Sequence, residues 1–423
     1  MQLLQAEAAA EAIPWKRPRA WLKAKNLRRG FWVFFTAAFF FDFGFAVYFF
    51  LFNLYLLDLH FDERTIGLVG GALTLGSVAG TLPAGVLARR IGIRPLLIVC
   101  FVAAPVFGSL RAVAVGERSQ IGLAFLAGLA MCLWGVCFLP AVARLTTEKN
   151  RPSAFSLIFS VSIGTSTLGG ILCGYLPRWL KSAGFTMQPA EVKRMILLTS
   201  CGIAAAGLLA VLRIRLPLET LSKHATRSAG WRRIWRLDPF LWRFLPSMAL
   251  WTAVLAAFTP FANVYLAHQL HVPLLRIGLV FSAAHIVQLC AGLLTPLLFR
   301  KLGMVNGIVA TQLATATAMA CLAGIHATGL SIALYLGFSA TQWMSNPGLY
   351  NLLMDQVPDQ QRSTASAITM FLNALAGSGA TALSGILFAR FGYPPVLAGI
   401  AALAVVAAAL FRSLVGRRAN VRG

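Results

Sequence analysis

Acidic side chains are scarce in this sequence. Only 13 of 423 residues are Asp or Glu, against 37 Lys or Arg, and charged residues together make up 12%. A soluble domain carries about twice that fraction, so a water-soluble fold is excluded. Cysteine pairing is missing too. Seven cysteines (Cys100, Cys132, Cys137, Cys173, Cys201, Cys290 and Cys321) occur without a Cys-x-x-Cys step, all inside apolar segments. They read as small packing groups rather than as disulfide partners. There is no His/Cys set at metal-ligand spacing, no phosphate-cradling glycine loop and no Ser-His-acid arrangement, which leaves no ground for an enzyme, a metal or another cofactor. The first thirty residues lack an apolar core, so they do not read as a cleaved signal peptide.

What is present is apolar: hydrophobic residues make up 58% of the chain. Stretches of about 20 such residues recur, each long enough to cross a hydrocarbon core as a helix. They predict spans at 31–57, 65–88, 95–115, 120–143, 153–176, 194–214, 243–267, 276–299, 304–326, 329–352, 364–388 and 394–412. With the N-terminus in the cytoplasm, 28 of the 37 Lys and Arg fall on the cytoplasmic side. That bias predicts a multi-pass protein of the plasma or bacterial inner membrane with both termini cytoplasmic. The net charge of +24 then belongs to the membrane surface rather than to nucleic acid. The basic tail around Trp15, Lys16, Arg17 and Arg19 is expected to lie on anionic headgroups.

The chain repeats itself. Ile66-Gly67-Leu68-Val69 recurs as Ile277-Gly278-Leu279-Val280, and the same shift of 211 carries Leu87, Arg89 and Gly92 onto Leu298, Arg300 and Gly303. Arg151 and Ala154 likewise map to Arg362 and Ala365. Upstream, Asn53-Leu54-Tyr55-Leu56 returns as Asn263-Val264-Tyr265-Leu266, shifted by 210. Several ordered matches at one register indicate two homologous halves of six spans in the same orientation. The expected fold is an all-α membrane protein of twelve transmembrane helices in two pseudo-symmetric six-helix bundles. Its divisions are a basic tail (1–30), an N-terminal bundle (31–215), a linker (216–240), a C-terminal bundle (241–414) and a short tail (415–423). Parallel repeats of this kind place a substrate site between the halves.

After span two stands Gly85-Val86-Leu87-Ala88-Arg89-Arg90-Ile91-Gly92, with Arg300 and Gly303 as its counterpart. On these residues the chain resembles the major facilitator superfamily over nearly its full length. The family's signature carries Asp where this sequence has Arg89. The resemblance implies secondary transport by alternating access, with Gly85, Arg89, Arg90, Gly92, Arg300 and Gly303 in a conformational role. The glycines of span five, Gly164, Gly169, Gly170 and Gly174, are similar to the glycine-rich helix of the family's antiporters but lack its Gly-Pro step. Signatures of the peptide carriers and sugar porters are absent.

Ionisable groups at membrane depth are costly and therefore mark function. Among the acidic residues Asp42 alone lies near the midplane, on a face shared with Phe35, Phe49 and Asn53. It is either a proton-coupling group or a structural acid with a polar partner. His285, mid-span in span eight with Gln288 and Gly292 on its face, is a second proton site, a partner for Asp42, or a donor to a backbone carbonyl. In span ten, Gln342 and Asn346 stack one turn apart and Pro347 is expected to kink the helix, which suits a gate, a binding surface or helix-helix contact. Asn373, Trp251 and Trp134 lie at similar depth and join Phe35, Phe49, Asn53, Gln288, Gln342 and Asn346 as candidate substrate contacts. Arg111 lies near the outer end of span three and is expected to snorkel. No Lys or Arg is then left at cavity depth, and the expected substrate is neutral or cationic. The reading is a monomeric, proton-coupled exporter of a small amphipathic compound, using protons or another ion. The alternatives are an importer or uniporter of a polar nutrient, and a transport-incompetent receptor or lipid scramblase.

Overall fold

The computed structural model describes residues 27–147, 150–184, 188–214, 239–325, 327–357 and 359–419. Twelve long helices fill them. The first half holds α1 (Arg29–Asp58), α2 (Glu63–Ile91), α3 (Ile93–Val113), α4 (Glu117–Leu145), α5 (Arg151–Ser182) and α6 (Pro189–Arg213). The second holds α7 (Pro239–Phe258), α8 (Leu274–Leu302), α9 (Met304–Gly324), α10 (Thr328–Gln356), α11 (Asp359–Phe391) and α12 (Tyr393–Ala419). A 3-10 turn (Thr259–Phe261), a short α segment (Ala262–Val264) and a π turn (Tyr265–Gln269) prolong α7. Each predicted span falls on one of these helices. Helices dominate because a backbone inside lipid must satisfy its own polar groups.

Among the described residues, ten of the twelve are long and apolar enough to cross a membrane. The other two, α5 and α10, are held in the bundle by neighbours, α5 by α1 and α8, α10 by α8 and α9. Two sequence expectations need correction. The signature segment, expected to follow span two, is part of it, because α2 runs on to Ile91 and Gly92 alone, at φ 90°, links it to α3. Gly303, at φ 78°, does the same between α8 and α9. Only glycine takes such a φ without strain, so each hairpin needs a single residue. And Cys290 is exposed, unlike the five buried cysteines. Residues 216–238 of the linker, 1–26 of the N-terminal tail and 420–423 of the C-terminal tail lie outside the described residues.

Packing repeats with the sequence. In the first half α1 packs on α5 and α6, α2 on α4, and α3 on α4 and α6. Adding six to each number gives the pairs of the second half: α7 on α11 and α12, α8 on α10, and α9 on α10 and α12. The halves meet through α2 on α11 and α5 on α8, which are again equivalent.

Candidate functional site

The halves touch at one end of the bundle, the end that carries the α1–α2 and α7–α8 turns. Asn53 on α1 donates its Nδ2 to the Pro260 carbonyl at 2.7 Å, and Asn263 donates its Nδ2 to the Phe50 carbonyl at 2.9 Å. Asn53 and Phe50 are the repeat mates of Asn263 and Pro260, so the two bonds form one reciprocal clasp. The helix crossings obey the same symmetry. A Cβ on Gly67 would lie 2.8 Å from the Gly385 Cα and from the Thr381 carbonyl oxygen. One on Gly278 would run into the Gly170 carbonyl, with Gly174 beyond it. The 211 shift relates Gly67 to Gly278, Gly170 to Thr381 and Gly174 to Gly385, so both crossings depend on missing side chains for close approach. Around them Ser378 donates to the Gly71 carbonyl at 2.7 Å and Ser282 to the Thr167 carbonyl at 2.7 Å. At the rim, buried Glu63 of α2 meets His268 Nδ1 at 2.7 Å and accepts from the Tyr393 hydroxyl at 3.5 Å. The turns themselves are matched, with His60 at φ 63° and His271 at φ 49°.

At the opposite end the facing stretches of α2 and α8 stand free. Leu82 and Leu293, repeat mates, are each 65% exposed, and nothing lies within 4 Å of a Cβ at Gly85. Directly beneath the clasp is a cavity of about 430 Å3. Its apolar lining comes chiefly from Phe49, Phe50, Phe52, Phe281, Val69 and Leu73, and its polar lining from Asn53, Asn263, Thr259, Thr381, His285 and Arg111. Both halves contribute, and the size lies within the roughly 300–1,000 Å3 of small-molecule sites.

A clasped end, an open end and a mixed-polarity cavity between matched halves agree with the sequence comparisons, in which residues 34–381 match the Major Facilitator Superfamily profile. The chain belongs to the Major Facilitator Superfamily. No curated protein matches it in sequence. Among solved structures it is similar to a nucleoside transporter, NupG, at 16% identity and TM-score 0.72, covering 92% of this chain and 99% of that one. It is also similar to a bacterial homolog of the human lysosomal transporter Spinster, described as inward-facing and unoccupied (14%, TM-score 0.73, 92% and 99% covered). A D-xylose-proton symporter is a third (16%, TM-score 0.71, 91% and 97% covered). At these identities the likeness concerns the fold.

In this superfamily scaffold the candidate residues separate. Phe49, Asn53 and His285 line the cavity. His285 Nδ1 donates to the Phe281 carbonyl at 2.8 Å, which leaves Nε2 as the free ring nitrogen. Asp42 lies outside the lining, half-buried, with the Ser162 side chain of α5 as its hydrogen-bonding neighbour. It occupies the α1 face of Ala46, Phe49 and Asn53, one turn below Ala46 toward the open end. Asp42 and His285 are therefore not partners in one pocket.

Trp134 does not line the cavity, because its ring packs against Phe34, Phe41, Phe101 and Phe138 at 4.9–5.8 Å. Trp251 is 1% exposed, inside the second half. Phe35 packs at the edge of the core beside Phe31 and Trp32. Gln342 accepts from Thr259 at 3.3 Å and so stands behind the lining, and Gln288 donates to Ser339 at 2.7 Å. Asn346 and Asn373 are half-buried away from the cavity, and the Asn373 Oδ1 is enclosed without a partner. Pro347 sits within α10, which stays helical through it, followed by Gly348 against Phe299 and Ile308. In the signature segment Arg90 and Arg300 are exposed, Arg89 falls in the last turn of α2, and Arg94 donates to the Leu212 carbonyl at 2.7 Å, covering the end of α6.

The largest correction is Arg111. It is 3% exposed and lines the cavity instead of snorkelling. The reason lies in α3, whose buried face runs through Cys100, Ala104, Gly108 and Arg111, while Val99, Val102, Val106, Leu110 and Val113 face outward. The small residues of that face extend in register to position 111, a signal present in the sequence. Asn263 was likewise legible as the repeat mate of Asn53. With Arg111 inside, the expectation that no cation reaches the cavity falls.

Proposed function

We propose that the protein moves a small amphipathic organic solute across the membrane by alternating access, coupled to protons through Asp42. The observation that carries this reading is the cavity between the halves, sealed at one end by the reciprocal Asn clasp and the two glycine crossings. With the basic residues on the cytoplasmic side, the sealed end faces outward and the cavity opens inward. Rocking the halves about this site would part the clasp and bring the free ends of α2 and α8 toward the second half. Rings and aliphatic side chains beside amides, hydroxyls and a guanidinium suit a solute with one polar end. Asp42, on the cavity face of α1 below the site, stands where a carboxyl group could exchange protons with the open side.

The test is counterflow in proteoliposomes of purified protein, with solutes first selected by thermal stabilisation. An imposed pH gradient is expected to drive net accumulation of a selected solute. Movement of labelled lipid without any soluble solute would overturn transport in favour of a scramblase of the same fold.

A further inference from the structure

Arg111 is enclosed without compensation. No hydrogen bond or ion pair joins its side chain to a described residue, and its Nε is buried without a partner. The neighbours are rings: the guanidinium carbon lies 4.0 Å from the Phe52 centroid and 6.0 Å from that of Tyr48, whose hydroxyl is already committed to the Gly108 carbonyl. Ring faces attract a cation but replace neither its water nor its counter-ion. The terminal nitrogens are not among the fully enclosed unpartnered atoms, and Arg111 is part of the cavity lining. A planar guanidinium held by packing and presented to a cavity is pre-set for two parallel bonds to a carboxylate.

We infer that Arg111 anchors an anionic group of the solute, and that the solute is a small organic monoanion, a carboxylate with an apolar body. The body lies against the apolar part of the lining, to which Phe49, Phe281 and Leu73 belong. A second negative charge meets no other fixed cation in the lining, where His285 is the only further ionisable group. The amides of Asn53 and Asn263 are engaged in the clasp, so the anion reaches Arg111 at the sealed end beside the very bonds that must break for outward opening. This rests on the transport reading above but is tested apart from it.

The probes are benzoate, 3-phenylpropionate and hexanoate, each with its primary amide and the amine of matched length, added to the full-length protein in micelles. Carboxylates alone are expected to raise the melting temperature of the wild type, a result that needs no variant. Arg111→Gln is expected to weaken carboxylate binding at least tenfold, and Arg111→Lys to fall between, since an ammonium keeps the charge without the fork. Three results would each overturn the inference: amides or amines that stabilise as well as carboxylates, chloride alone producing the whole effect, or no carboxylate binding at all. Unchanged carboxylate affinity in R111Q would do the same. Counterflow separates the two readings. A carboxylate bound through Arg111 that shows no counterflow removes transport and leaves the site. Amide counterflow untouched by R111Q removes the site and leaves transport.

Discussion

Asp42 and Arg111 are two of the charges that the first half turns toward the interior, and they stand at different levels. Asp42→Asn keeps the shape and the Ser162 contact but cannot exchange a proton. Accumulation driven by a pH gradient is expected to vanish while counterflow persists, and a variant that still concentrates solute would move coupling elsewhere. Trp134, read from depth alone as a substrate contact, is a packing residue among four Phe rings. Trp134→Ala is expected to cost about 3–5 kcal/mol, as for other large aromatic deletions, and to lower the melting temperature while leaving the KM of transported solute unchanged. Depth along a helix can be counted from a sequence. The rotation that decides between cavity, core and lipid needs the neighbouring helices, and for that reason depth alone put Trp134 and Trp251 at the cavity and left Arg111 to snorkel.

Helix crossings explain why small residues recur at fixed places. Gly278→Val puts side-chain atoms into the Gly170 carbonyl, so α8 cannot approach α5 and the sealed end cannot close. The distance between spin labels at positions 60 and 271, on the two matched turns, is expected to lengthen in that variant. A distribution identical to that of the wild type would show that the crossing does not set the state. The Asn clasp acts more gently. Interhelical hydrogen bonds in membranes average roughly 0.6 kcal/mol, so Asn53→Ala or Asn263→Ala is expected to shift the same distribution only about threefold toward the open form. Each bond lies within the span of the other, and the double variant should therefore shift it by less than the product of the two. The sequence showed the repeated Asn and Gly. That Asn53 reaches into the second half, and Asn263 into the first, became visible only when the halves faced each other.

For the molecule as a whole, the proposed orientation rests on the bias of basic residues. Cysteines introduced between positions 216 and 238 are expected to resist a membrane-impermeant thiol reagent in intact cells and to react once the membrane is opened. Labelling from outside would reverse the orientation and make the cavity outward-open. The family, the twelve helices and the two halves were determined by the sequence alone, because hydrocarbon demands long apolar helices whatever their neighbours, and because a duplicated chain keeps its register in its letters. The tertiary structure decided which end is sealed, which polar groups meet across the interface and that Arg111 points inward. Those outcomes depend on how each helix is rotated and tilted against its neighbours, and packing between helices fixes that, not the composition of any single span.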